Sequence, residues 1–125
     1  MARTVLPALI MLLGLMLASS GAIAQGVCTA PPPPPPLNGA EANAEQLRAA
    51  IADARNFIGQ ANIYENCLKD EVEADHANAV ANGTPTDPAA DRQVETQIVA
   101  NRQLKDKVSS DVAAAMDAYK KAHAN

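Results

Sequence analysis

From Leu47 to Val72 the apolar residues Leu47, Ile51, Ala54, Ile58, Ala61, Leu68 and Val72 recur in steps of four and three, with one step of seven. Ala50, Phe57 and Tyr64 flank them. A period sustained for more than three heptads is that of a helix presenting one stripe. It predicts a single long helix over 40–82. Its entry is signalled twice, because Asn38 with Glu41 and Asn43 with Gln46 both have the spacing of a capping box. Either asparagine satisfies the rule, so the sequence leaves both starts open.

The stretch Asn82-Gly83-Thr84-Pro85-Thr86-Asp87-Pro88 ends that run. Gly83 suits the residue after a helix end, Asp87 the next N-cap and Pro88 the first helical position. A turn over 83–87 therefore precedes a second helix over 88–122. Its apolar face carries Ala90, Val94, Ile98, Val108, Val112, Ala115, Met116 and Tyr119, interrupted by Asn101 and Lys105. Lys120 and Lys121 suit the negative end of its dipole. A connection this short makes the helices antiparallel neighbours. The predicted fold is all-α, an antiparallel two-helix hairpin of coiled-coil type.

Folding the runs about the turn pairs positions whose numbers add to about 170. Val72 then meets Ile98, Ala61 meets Val108, Ile58 meets Val112, Ala54 meets Met116 and Ile51 meets Tyr119. Glu65, the acidic residue inside the first stripe, meets Lys105, a basic residue inside the second. A polar pair within an apolar seam fixes register more than it adds stability.

Ahead of the helices, Arg3, the apolar run Val5 to Leu17 and Ala22-Ile23-Ala24 have the form of a secretory signal. Thirteen apolar residues fall short of the roughly 20 needed to span a bilayer. Cleavage after Ala24 is expected, dividing the chain into a signal at 1–24, a proline-rich segment at 25–39 and the hairpin at 40–125. Lipidation at Cys28 is disfavoured by the branched Val27 before it. No membrane span is expected after cleavage. Without Arg3 the chain carries nine basic and fourteen acidic residues, a net −5. That sign argues against nucleic acid or anionic lipid as partners. Hydrophobic residues make up 48%, with alanine the commonest of them, and the aromatics are Phe57, Tyr64 and Tyr119. Such residues bury little area each, which favours a thin, long structure over a globule.

Export would place Cys28 and Cys67 in an oxidising compartment, periplasmic or extracellular, where they have one intramolecular pairing. Pro31 to Pro36 is an extended polyproline segment, rising about 3.1 Å per residue. Such a run serves as a spacer or as a ligand for an aromatic groove. A third reading is that it docks along helix one. Cys67 lies about 130° around the helix from the centre of the stripe. It shares a line with Ala42, Ala49, Ala52, Asn56, Gln60 and Ile63, whose small members would let another backbone approach. Cys28 to Asn38 spans at most roughly 36 Å. The rise to Cys67 is about 42 Å from Gly39 and about 36 Å from Asn43. A bridge is thus taut for the first helix start and comfortable for the second.

Glu71, Asp75 and His76 are weak candidates for a divalent cation, since consecutive acids on a helix point around the cylinder and no loop wraps oxygens about a centre. No cofactor is expected. Ser109 and Ser110 have no histidine within reach, and the cysteines lack the Cys-x-x-Cys spacing of a redox pair, so catalysis is not expected. Cys28-x-x-Pro31, Tyr64-x-x-Cys67-Leu68 and the closing Asp117-Ala118-Tyr119-Lys120 resemble a family of small exported bacterial proteins of unknown function. The resemblance implies a short Cys- and Pro-rich mature N-terminus, a helix bearing the second cysteine and a return helix. The expected role is a non-catalytic structural or interaction module of the periplasm or envelope, with an unknown protein partner or self-association through off-stripe Ile63 and Val99. The alternative is a binder of a small ligand or divalent metal at the acidic end near His76.

Overall fold

The computed structural model describes residues 28–124. The expected signal at 1–24, its cleavage site and the residues to 27 lie outside them. Among the described residues two helices make up the regular structure, α1 (Ala44–Asn82) and α2 (Pro88–Ala122). They pack antiparallel, joined by the turn at 83–87.

α1 begins four residues later than the expected 40. Asn43 is its cap: its side chain accepts from the Gln46 amide at 2.9 Å, and the Gln46 side chain accepts from the Asn43 amide at 2.9 Å. Both otherwise orphaned donors are satisfied. Asn38 has the same spacing to Glu41 but heads a separate turn. Its side chain accepts from the Ala40 amide, and its carbonyl from the amides of Glu41 and Ala42. The physical reason is a close approach to α2. Gly39 is buried, and a Cβ built on it would lie 1.9 Å from the Ala115 carbonyl oxygen. The turn is pressed against the second helix, so the chain reverses into α1 only after it.

The other termini follow their local sequence. Gly83 takes the left-handed conformation at φ 63°, its amide bonds the Val80 carbonyl at 3.2 Å, and the Thr84 amide bonds that of Ala79 at 2.9 Å. This closes α1 with its last carbonyls satisfied. Asp87 caps α2 by accepting from the Ala89 amide at 2.8 Å, with Pro88 at the first helical position. At the far end His123 stacks on Tyr119, ring centres 4.2 Å apart.

The buried seam runs through Ala54, Phe57 and Ala61 of α1 and Val108 of α2, with Ile58, Leu104 and Val112 packed against it. Residue numbers across the seam add to 167 for His76 with Asp91, Glu65 with Arg102 and Asn62 with Lys105, and to 170 for Glu65 with Lys105. These four pairs lie within one helical turn of the expected register.

Cys28 and Cys67 form a disulfide, with Cα atoms 5.7 Å apart. The segment between Cys28 and Gly39 has no regular secondary structure and descends along α1 from Cys67 toward the helix start. Near the bridge, Cys28 to Pro32 border a groove with Gln60, Ile63 and Tyr64 of α1. Farther on, Pro34 to Leu37 border a crevice with Ala50 of α1 and Val108, Asp111, Val112 and Ala115 of α2. The segment thus crosses from the outer face of α1 into the groove between the helices. Ala49, Ala52 and Asn56, on the line expected to receive it, are exposed. The flanking residues Ala50 and Tyr64 border the segment instead, and Phe57, seven from each, is buried in the seam at 3% exposed. A groove between two helices buries more apolar surface than one convex face, which favours this path.

Candidate functional site

Three constellations of side chains could carry function. The first is centred on Glu65 in the seam, and it sits where the paired flaws of the two stripes place it. Lys105 Nζ donates to Glu65 Oε2 at 3.2 Å and to Asn62 Oδ1 at 2.8 Å. Arg102 donates from Nε at 3.1 Å and Nη2 at 2.6 Å to Glu65 Oε1, which Lys69 Nζ also reaches at 3.0 Å. The Glu65 carboxyl is thereby lowered from 4.5 to about 2: the bond from Arg102 contributes most, then that from Lys69, with burial opposing and Lys105 adding. The Glu65–Lys105 pair is legible from the register alone, whereas Arg102 and Lys69 are not. Both nevertheless sit at helical-neighbour spacing, Lys69 four residues beyond Glu65 and Arg102 three before Lys105.

Beside this cluster, Asn101 is buried, and its Nδ2 donates to the Ala61 carbonyl at 2.9 Å. What reads in sequence as an interruption of the second stripe is a side chain reaching the backbone of the opposite helix. Among the described residues no buried side-chain nitrogen or oxygen lacks a hydrogen-bond partner. A satisfied network of this kind holds two helices in one register.

At the turn end, the three weak cation candidates do not converge. Glu71 is half-buried beside the disulfide and accepts from the Cys28 amide at 3.3 Å. His76 Nε2 lies 3.0 Å from both carboxylate oxygens of Asp91 on α2. Asp75 lines an open groove with His76, Asn82, Thr86, Asp87 and Asp91. The reason is partly rotational: Glu71 and Asp75, four apart, share a face of α1, whereas His76 is turned about 100° from Asp75. Glu71 is engaged by the Cys28 amide and His76 by Asp91. Among the described residues the grouping with ligand spacing is Cys28, Cys67 and Glu71. Its two sulfurs are bonded to each other, which leaves one carboxylate.

The third constellation surrounds the bridge. An open groove of about 430 Å³ is bordered by Thr29, Ala30, Pro31 and Pro32 on one side and by Gln60, Ile63 and Tyr64 on the other. Ile63 is 69% exposed there, while the off-stripe Val99 is 45% exposed on α2. The crevice under Pro34 to Leu37 has only about 20 Å³ of free space, room for about one water. Pro34 to Leu37 are thus seated in the interhelical groove, and apolar side chains stand exposed at Ile63 beside the disulfide, at Val80 near the turn and at Val99.

Compared with protein-family models, curated proteins and solved structures, the chain matches none. Among the described residues no helix is long and apolar enough to cross a membrane.

Proposed function

We propose that the chain is exported to the periplasm or beyond and serves as a non-catalytic structural or interaction module. It would do so as one of the small Cys- and Pro-rich exported bacterial proteins it resembles. One observation supports this reading above others: the cross-link between Cys28 and Cys67 joins an extended segment to a hairpin with an apolar patch, Ile63, left in the open beside it. A disulfide suits a thin fold with a small core, because it constrains the unfolded chain. Exposed apolar side chains next to such a clamp form a contact surface of fixed shape.

The test is a photo-reactive residue in place of Ile63, with the protein recovered from its producing cells. The expected outcome is a mature chain beginning at Gln25, without free thiols, cross-linked to one discrete species. Sedimentation of the adduct tells a second copy from a different partner. An uncleaved chain with two free thiols, or a smear without a discrete adduct, would overturn the proposal.

A further inference from the structure

The proline run has a threefold pattern of burial. Pro31, Pro34 and Leu37 are half-buried, whereas Pro32, Pro33, Pro35 and Pro36 are exposed. A polyproline helix has three residues per turn, so its side chains fall on three edges. The edge at 31, 34 and 37 rests on the hairpin. The edges at 32 and 35 and at 33 and 36 are exposed, while Pro32 also borders the groove beside Tyr64 and Pro35 and Pro36 border the crevice at Ala50 and Val112.

Those exposed edges are the pairs that aromatic grooves read. Grooves of this type take extended proline-rich segments into slots between aromatic side chains, and the segment is favoured because its helix is already formed. Here Pro32-Pro33 and Pro35-Pro36 offer two successive exposed pairs, with Pro34 turned inward between them. A polyproline helix has no internal hydrogen bonds, which leaves its carbonyls to accept from indole or phenol donors. Docking and presentation, which compete as readings of the sequence, are therefore compatible in the structure.

Both ends of the run are also held. Cys28 is bonded to Cys67 and its amide to Glu71, and Gly39 is pressed against Ala115. The entropy cost of ordering the segment is met in folding, so binding need not meet it again. We propose that the hairpin is a rigid cradle that displays Pro32-Pro33 and Pro35-Pro36 to a protein partner bearing an aromatic-walled, polyproline-reading groove. The inference rests on the interaction-module reading and names the partner class for the proline edge, which adjoins the Ile63 groove at Pro32.

The chain contains no tryptophan, so the partner's indole fluorescence reports binding without background. The probe is an isolated polyproline-reading domain of the SH3 type with a groove tryptophan, and the control is a synthetic peptide of residues 29–38. The oxidised chain should bind at least as tightly as the peptide. Pro33→Ala and Pro36→Ala, on a displayed edge, should each weaken binding about tenfold, a 1.4 kcal/mol effect, with little change in melting temperature. Pro34→Ala, on the docked edge, should lower the melting temperature and leave the affinity within about twofold, since its side chain is turned away from the partner. A chain that fails to bind where the peptide saturates would overturn the proposal, as would binding that appears only after a dithiol reduces the bridge. If that failure comes with an Ile63 adduct still forming, the module reading stands and this surface alone is discarded.

Discussion

At the scale of single residues, one carboxylate organises the seam. Glu65 accepts from three cations of different exposure: the Lys105 side chain is 19% exposed, against 56% for Arg102 and 52% for Lys69. Truncating Glu65 leaves Lys105 half-buried without its counter-charge, whereas the other two turn to water. Glu65→Gln should therefore destabilise the protein by about 2 kcal/mol in urea unfolding at neutral pH, the scale of a hydrogen bond to a charged group. Lys105→Ala should cost less, because Arg102 and Lys69 still satisfy the carboxylate. The Glu65→Gln, Lys105→Ala double variant should be milder than the sum of the two; simple additivity would argue against the pair. The sign of the pH effect follows from the lowered carboxyl. Its folded value near 2 lies below the ordinary 4.5, so the contribution is fully present above about 4.5 and is lost as the pH falls toward 2. Unfolding between pH 5 and pH 2 should show an acid limb that Glu65→Gln reduces. The position of Glu65 against Lys105 is readable from two stripes and a turn. The bond from Asn101 to the Ala61 carbonyl is not, because nothing in a sequence says where an amide side chain will find a backbone oxygen.

At the scale of elements, two glycines do different work. Gly83 holds a left-handed conformation that closes α1, with nothing within 4 Å of a Cβ built on it. Gly83→Ala should cost about 1–2 kcal/mol through backbone strain alone. Gly39 has an ordinary backbone but no room, since an added Cβ would meet the Ala115 carbonyl. Gly39→Ala should cost about 1–3 kcal/mol, the scale of overpacking. It should also loosen the proline segment, which Gly83→Ala should leave in place. Thermal unfolding measures the first effect, and amide order parameters at Ala30 and Leu37 measure the second. Local rules place the turn, the α2 cap and the glycine end of α1 in the sequence. They do not choose between Asn38 and Asn43, because both meet the capping rule; the contact of Gly39 with α2 decides it.

At the scale of the molecule, three segments behave as one body because of the Cys28–Cys67 bridge, which closes a separation of 39 residues. Its reduction should cost about 4 kcal/mol in the chain-entropy model. With the bridge intact, Ala30 and Leu37 should have order parameters like those of the helices. After reduction they should fall, and values below about 0.6 with the bridge intact would show an undocked segment. By itself the sequence determined the helix count, the turn, the near register of the seam and the one possible cysteine pairing, because each rests on periodicity, capping chemistry or number. It also carried, unused, the line Ala50, Phe57 and Tyr64, whose sevenfold spacing beside the main stripe marks a second packing surface. Only the tertiary structure decided which path the prolines take, where α1 begins, and how Glu65, Arg102, Lys69 and Asn101 share the seam. Those outcomes depend on distances between segments far apart in the chain. The two helices create a groove that neither has alone, and the proline segment settles there because the groove offers contact on two sides.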